Sequence, residues 1–347
     1  DVALLDGRLR LTADYYYKIT KDMILDVDIP DYVGYDNPQQ NTGKMKTTGF
    51  EIEMSWNDHI NDFHYGISAN LSDYRSKMGY LGGNQFLGDR IKRMGSYFNE
   101  WYGYRTDGIF QTSEEIANTP VMNNNVKPGD IKYVNTTGQT DDKGTPVYNS
   151  DDMTVIGNAN PDFTGGFKNT FSYKGFDLSV FMVFSYGNDI FNMSTQRFVG
   201  PYQPYQNMLA DAANRFTLLD PRTGKEAMDL NRIAELNPNQ HDPNILWSIH
   251  NDNRAAITTP LDRFVEDGSY LRISTITLGY TFPKKWLSKA FISNLRLYCT
   301  LNNPFTITNY SGYDPEVSKE SSILTPGIDD SSYPRSKGFV FGINLSL

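Results

Sequence analysis

The feature that most limits what this chain can fold into is a period of two, clearest in its closing residues GFVFGINLSL. Phe339, Phe341, Ile343, Leu345 and Leu347 fall on one face of an extended strand. Val340, Gly342, Asn344 and Ser346 fall on the other. A strand with one apolar face and one small or polar face suits a sheet with lipid on one side and water on the other. The chain holds no apolar run long enough for a helical membrane span. Strands that cross a bilayer must pair all their backbone groups with other strands. The expected fold is all-β, a transmembrane antiparallel β-barrel.

Eight strand candidates carry the alternation. The first covers about residues 7–20, with Leu9, Leu11, Ala13, Tyr15, Tyr17 and Ile19 opposite Arg8, Arg10, Thr12, Asp14, Tyr16 and Lys18. So many charges on one strand face exclude a dry core there and suit a wet lumen. The second, about 45–57, sets Phe50, Ile52, Met54 and Trp56 against Glu51, Glu53 and Ser55. NDHIND leads to the third, about 63–75, where Tyr65, Ile67, Ala69 and Leu71 alternate with polar residues. A hairpin turning at Lys174-Gly175 supplies the next two. The last three run over about 269–282, 294–308 and the C-terminus, with PKKWLSKAFIS forming one turn and starting a helical turn at Pro283.

The connections alternate short and long. NDHIND, Lys174-Gly175 and PKKWLSKAFIS are short; 25–43, 76–160, 187–267 and 309–334 are long. Outer-membrane barrels have short periplasmic turns and longer extracellular loops. Stretches 76–160 and 187–267 are therefore expected outside the cell, folded over the barrel mouth with short secondary structure of their own. Trp56, Phe63, Tyr65, Tyr173, Phe176, Phe282 and Trp286 gather near the short turns, where a periplasmic aromatic girdle belongs.

Aromatics make up 14% of the chain, a surplus that suits such girdles. The net charge of -9 argues against nucleic acid as a partner. The lone cysteine, Cys299, sits between Leu297 and Leu301 on an apolar strand face and reads as a small hydrophobe. His59, His64, His241 and His250 lack zinc spacing, and no phosphate loop or nucleophile elbow is present, so no enzyme is expected. Asp141-Asp142, Asp151-Asp152 and Asp329-Asp330 have the oxygen ligands that calcium takes, but solvated loop acids are the plainer reading. The long loops carry Phe98, Trp101, Tyr102, Tyr104, Tyr202, Tyr205 and Trp247. Such rings either meet sugar or peptide ligands or pack loop on loop; Trp101, Tyr102 and Tyr104 are the candidate ligand contacts.

Several stretches, in this order, resemble the C-terminal part of the SusC/RagA family of TonB-dependent outer-membrane receptors of Bacteroidetes. They are LRLTADYYYKIT, NTGKMKTTGFEIE, YGYRTDGIFQTSEEI, KPGDIKYV, IGNANPDFTGGFKNTFSYKGFDLSVF, EDGSYLRISTITLGYTFPKKWL, LRLYCTLNNPFTITNYSGYDPEV and GFVFGINLSL. The resemblance implies a plugged barrel of about 22 strands, of which these are the last eight. It places the N-terminal extension and plug domains outside this chain. It implies import of bulky nutrients, oligosaccharides or peptides, in concert with a SusD-like surface lipoprotein and the TonB complex, which would act through the N-terminal part. Two departures stand out. Such chains usually end in an aromatic residue, where this one has Leu347, and NTTGQTDDKG lacks the DxNxDG spacing of a calcium-type loop, so no cofactor is expected. The alternative from the residues alone is a self-contained eight-stranded barrel with a structural or adhesive role.

Overall fold

The computed structural model describes residues 1–347 apart from 27–33, 35–37, 82–85, 88–90, 120, 122–124, 141–147, 201–206, 243, 249–258, 289–290 and 318–325. One antiparallel sheet of nine strands dominates it, and each strand pairs with its sequence neighbour in that sheet. In chain order these are β1 (Val2–Leu4), β2 (Leu9–Asp26), β3 (Gln39–Ile60), β4 (Phe63–Leu81) and β5 (Phe163–Tyr173). They continue with β6 (Phe176–Tyr186), β7 (Tyr270–Thr281), β8 (Asn294–Thr308) and β9 (Gly338–Ser346). This is the up-and-down meander expected from the alternating turns. Strands β2 to β9 are the eight read from the sequence. Strand β1 was not foreseen: three residues fold back on β2 through Leu5, Asp6 and Gly7, all at positive φ. No pairing joins β1 to β9 among the described residues, so the sheet is open and does not close as an eight-stranded barrel.

The register tests the barrel assignment independently of the pattern within any one strand, because a slip of one residue would flip a strand's apolar set to the other face. One row across the sheet reads Leu11, Met54, Ala69, Phe167, Met182, Ile273 and Phe305. Another reads Leu9, Trp56, Ile67, Asn169, Val180, Ile276, Leu301 and Phe339, with Asn169 its single polar member. Cys299 lies between Leu278 and Phe341 on the same face, as expected. Bulges between Ile273 and Thr275 on β7 and between Asn302 and Phe305 on β8 keep Ile273 and Ile276 on one face despite their odd spacing. The resulting band is uncovered: Phe341 is 75% exposed, Ile343 69% and Tyr15 76%. An apolar surface this wide is unstable against water and needs a lipid environment.

Strands β2, β3 and β4 have 18, 22 and 19 residues, longer than the sequence pattern indicated and longer than the roughly 9–11 a tilted bilayer crossing needs. Their far ends, such as QQNTGKMKTT in β3, lack the alternation because that pairing continues beyond the apolar band. The turn read as NDHIND is also tighter than expected. Strand β3 runs through His59 and Ile60, leaving Asn61-Asp62 as the connection, with Asn61 at φ 53°. The Lys174-Gly175 turn has φ 45° and 89°, the two positive values of a type I′ hairpin. The helical turn after β7 is α4 (Lys284–Leu287), with Pro283 at its N-cap.

The buried apolar core lies above the sheet, in the long connections. Trp101, Phe216, Trp247 and Leu261 are fully buried there, with Tyr104, Ile109, Ile131, Tyr148, Phe191, Val199, Ile233 and Phe264 around them. Short ribbons frame this core: Glu100–Gly103 with Thr154–Asn158, Thr106–Ile109 with Ile131–Tyr133, and Asp189–Phe191 with Val265–Asp267. Three short helices accompany them, α1 (Ser113–Ala117), α2 (Met193–Val199) and α3 (Leu230–Leu236). Each is capped by a side chain: Thr112, Asn192 and Asp229 accept from the backbone N–H of Glu115, Thr195 and Arg232.

Candidate functional site: the polar wall and its loop layer

The face of the sheet opposite the apolar band carries Arg10, Asp14, Glu51, Glu53, Lys168 and Arg296 at inward registers. Cross-strand hydrogen bonds knit it together. Ser72 and Thr164 hydroxyls meet at 2.9 Å, as do those of Thr277 and Thr300, and the Gly166 N–H donates to Asn70 Oδ1 at 2.7 Å. Arg296 grips Asp177 two strands away, its Nε at 3.0 Å and Nη2 at 2.5 Å from the carboxylate oxygens. That reach passes over Gly279, where a Cβ would overlap both groups. At Gly342 the Tyr298 ring fills the same kind of gap. A hollow of about 510 Å³ at the short-turn end is lined by Asn57, His59, His64, Lys168, Thr170 and Asp177. The two histidine rings stack there with centroids 5.4 Å apart. Phe181, Val183 and Val340 are apolar exceptions on this wall.

The layer above is a single packed unit made by separate connections. Tyr104 exchanges backbone bonds with Pro260 and Asp262, each at 3.1 Å, and the Thr106 hydroxyl donates to Asp262 Oδ1 at 2.7 Å. The Ser248 N–H donates to the Gly129 carbonyl at 2.7 Å, and its hydroxyl to Asp130 at 2.9 Å. The stretches before β5 and before β7 are therefore interlocked. The third connection, between β8 and β9, joins them: Phe191 donates to the Gly327 carbonyl, and Asp329 donates back to the Phe191 carbonyl at 3.0 Å.

Trp101, Tyr102 and Tyr104 are brought together, but in the interior. Trp101 is 0% exposed, its indole N–H reaching the Asp189 carbonyl at 3.4 Å; Tyr102 is 8% exposed and Tyr104 7%. Tyr104 forms a ring cluster with Tyr133 and Tyr148, centroids 5.2–5.4 Å apart. Burial pushes all three phenols above their ordinary range. All three rings are buried, and Trp101 and Tyr104 belong to the loop core together with Trp247. Tyr202 and Tyr205 lie outside the described residues.

Asp152, Asp329 and Asp330 accept hydrogen bonds that hold the loop layer together. Asp152 is fully buried and accepts from the N–H groups of Thr136, Thr137 and Asn149 at 2.8–3.0 Å and from the Thr137 hydroxyl. Burial raises its pKa, but those bonds outweigh it and hold the carboxyl below the ordinary value. Its oxygens hold two loop segments together. Asp329 accepts from the Tyr310 hydroxyl at 2.7 Å, and Asp330 from Arg197 at 2.7 Å. Asp141 and Asp142 lie outside the described residues, as does His250. Among the described residues, no three His, Cys, Asp or Glu side chains come together as a metal set.

A feature the sequence did not disclose anchors the layer to the sheet. Arg272, on the polar face of β7, is 3% exposed. It meets Asp314 at 2.5 Å and Glu316 at 2.9 Å, and Glu316 also meets Arg335 at 3.1 Å. Burial lifts the Asp314 carboxyl, but the bonds from Arg272 and from the N–H groups of Glu316 and Arg335 prevail and leave it below its ordinary value. The only sequence signal was Arg272 itself, a charge within the otherwise apolar and hydroxylic run YLRISTITLGYT.

These features define the class. Residues 2–140 match a family model described as TonB dependent receptor-like, beta-barrel. The chain is 28% identical over 365 residues to TonB-dependent receptor P3 of Formosa agariphila, which it matches along its whole length while covering 33% of that protein. It is 25% identical over 364 residues to TonB-dependent receptor SusC of Bacteroides thetaiotaomicron, covering 31% of it. Among solved structures, the RagAB peptide importer in its open-open state superposes with a TM-score of 0.72 at 25% identity, over 99% of this chain and 33% of that one. Its closed-closed state gives 0.73 at 24%. The chain spans about a third of the length of the curated relatives it matches. Over residues 2–140 the chain matches a TonB-dependent receptor β-barrel. Along its whole length it is similar to one segment of receptors of the SusC and RagA type.

Proposed function

We propose that this segment forms the C-terminal third of an outer-membrane importer for bulky nutrients, oligosaccharides or peptides. The observation that carries this reading is a division of labour along one sheet. An apolar band runs in register across eight strands, and at one end only, three long connections share a buried core. The first needs lipid; the second is a rigid structure on an aqueous side. With the short turns in the periplasm, the loop layer lies outside the cell. It forms part of a vestibule that a SusD-like lipoprotein covers. The polar wall faces a lumen occupied by the plug of the same receptor, and the TonB complex acts through that plug. The open sheet supports the same reading: its β1 and β9 edges must pair with further strands, because unpaired edges are not tolerated in hydrocarbon.

The test uses the full-length receptor in cells that depend on it for growth on a defined oligosaccharide or peptide source. Replacing 99–160 and 187–267 by short turns should abolish growth on that source while leaving the barrel in the membrane. Protease should cut the wild-type loops in intact cells. Loops cut only after the outer membrane is opened would overturn the orientation. Undiminished uptake without them would overturn the vestibule role.

A further inference from the structure

We propose that the turn after β7, with its neighbour between β5 and β6, is a binding site for an anionic phospholipid headgroup at the periplasmic surface of the bilayer. The inference rests on the membrane reading above and goes beyond it by naming the ligand chemistry. Phe176, Tyr280, Phe282 and Trp286 form a continuous row of rings, with successive centroids 4.5, 5.0 and 6.4 Å apart. The row begins on the lipid-facing side of the sheet, where Tyr280 pairs with Leu297, and runs past Thr281, the last residue of β7, onto α4. It thus crosses from the depth of acyl chains to the depth of headgroups. Trp286 is 64% exposed and Phe291, at the far end of the turn, 90%.

Beside these rings stand Lys284 and Lys285, both exposed and with no ion pair among the described residues. The Thr281 N–H donates to the Gly175 carbonyl at 2.8 Å and ties this turn to the β5–β6 hairpin, where Lys174 lies over the Tyr173 ring. Asp177, on the neighbouring strand, is held by Arg296. In a chain of net charge -9, residues 283–288 carry two lysines and no carboxylate. Lysine is a compact cation with three donors, suited to a phosphodiester. Amphipathic rings at this depth hold the glycerol and upper acyl region. Leu287 is buried at this turn, and the backbone N–H of Trp286 donates to the Pro283 carbonyl at 2.9 Å. Complementary charge and an adjoining apolar track together select a lipid over a free anion.

The experiment is native mass spectrometry of the full-length receptor released from bilayers of phosphatidylglycerol and phosphatidylcholine. The wild type should retain phosphatidylglycerol in preference to phosphatidylcholine. The double variant Lys284→Gln, Lys285→Gln should bind it about tenfold more weakly with its phosphatidylcholine retention unchanged. Trp286→Ala should weaken both lipids at this position. Excess inorganic phosphate should displace neither. Equal phosphatidylglycerol retention by wild type and double variant overturns the site, as does displacement by inorganic phosphate. A receptor that enters neither bilayer overturns the membrane reading itself and this site with it.

Discussion

At the scale of single residues, the same side-chain type does opposite work on the two sides of the loop–sheet boundary. Trp101 is sealed in the loop core, whereas Phe341 stands open on the sheet. Trp101→Ala should cost about 3–5 kcal/mol of loop-layer stability. Hydrogen exchange should speed up across 99–160 and 189–264 while β5 to β9 stay protected; unchanged protection of the loops would show that the core is not cooperative. On the sheet, Leu278→Arg should cost about 2–4 kcal/mol in folding into bilayers, and Ser68→Arg, on the polar wall, much less. Asp314 supplies a pH dependence. Its folded pKa lies below the unfolded value of about 3.9, so its contribution is complete above that pH and is lost as pH falls through the folded value. The connection between β8 and β9 should loosen in that acidic range, and Asp314→Asn should loosen it at neutral pH as well. Proteolysis of 309–337 across pH checks both.

At the scale of elements, the strands were legible because lipid on one face and water on the other impose the period of two. Their lengths were not, because β2, β3 and β4 continue beyond the band where that demand applies. The turns followed their chemistry at Lys174-Gly175, and at Asn61-Asp62 a two-residue turn hid inside a polar hexapeptide whose His59 and Ile60 are still paired. Glycines mark the points where inward side chains cross the sheet. Gly279→Val should break the Arg296–Asp177 pair and its strand contacts. The result should be a lower unfolding temperature than for Gly279→Ala, since the larger side chain displaces more.

At the scale of the whole molecule, the loop layer is what the sequence concealed. Its core draws Trp101 from one connection, Trp247 and Leu261 from another and Ile328 from a third, with no common period. A ring in a polar stretch reads alike whether it is displayed or buried, so the burial of Trp101, Tyr102 and Tyr104 was not legible in advance. The Arg272 anchor was equally hidden, because its partners Asp314 and Glu316 lie about forty residues away and are joined to it only by the fold.

The central claim is that one face of this sheet meets lipid and the other does not. Nitroxide labels placed singly at 338–346 in the full-length receptor, reconstituted in bilayers, test it most directly through their accessibility to oxygen, which concentrates in lipid, and to a polar nickel chelate. The account predicts high oxygen accessibility at 339, 341, 343 and 345 and low accessibility at 340, 342 and 344. Uniform accessibility along β9, or the reverse phase, would contradict it.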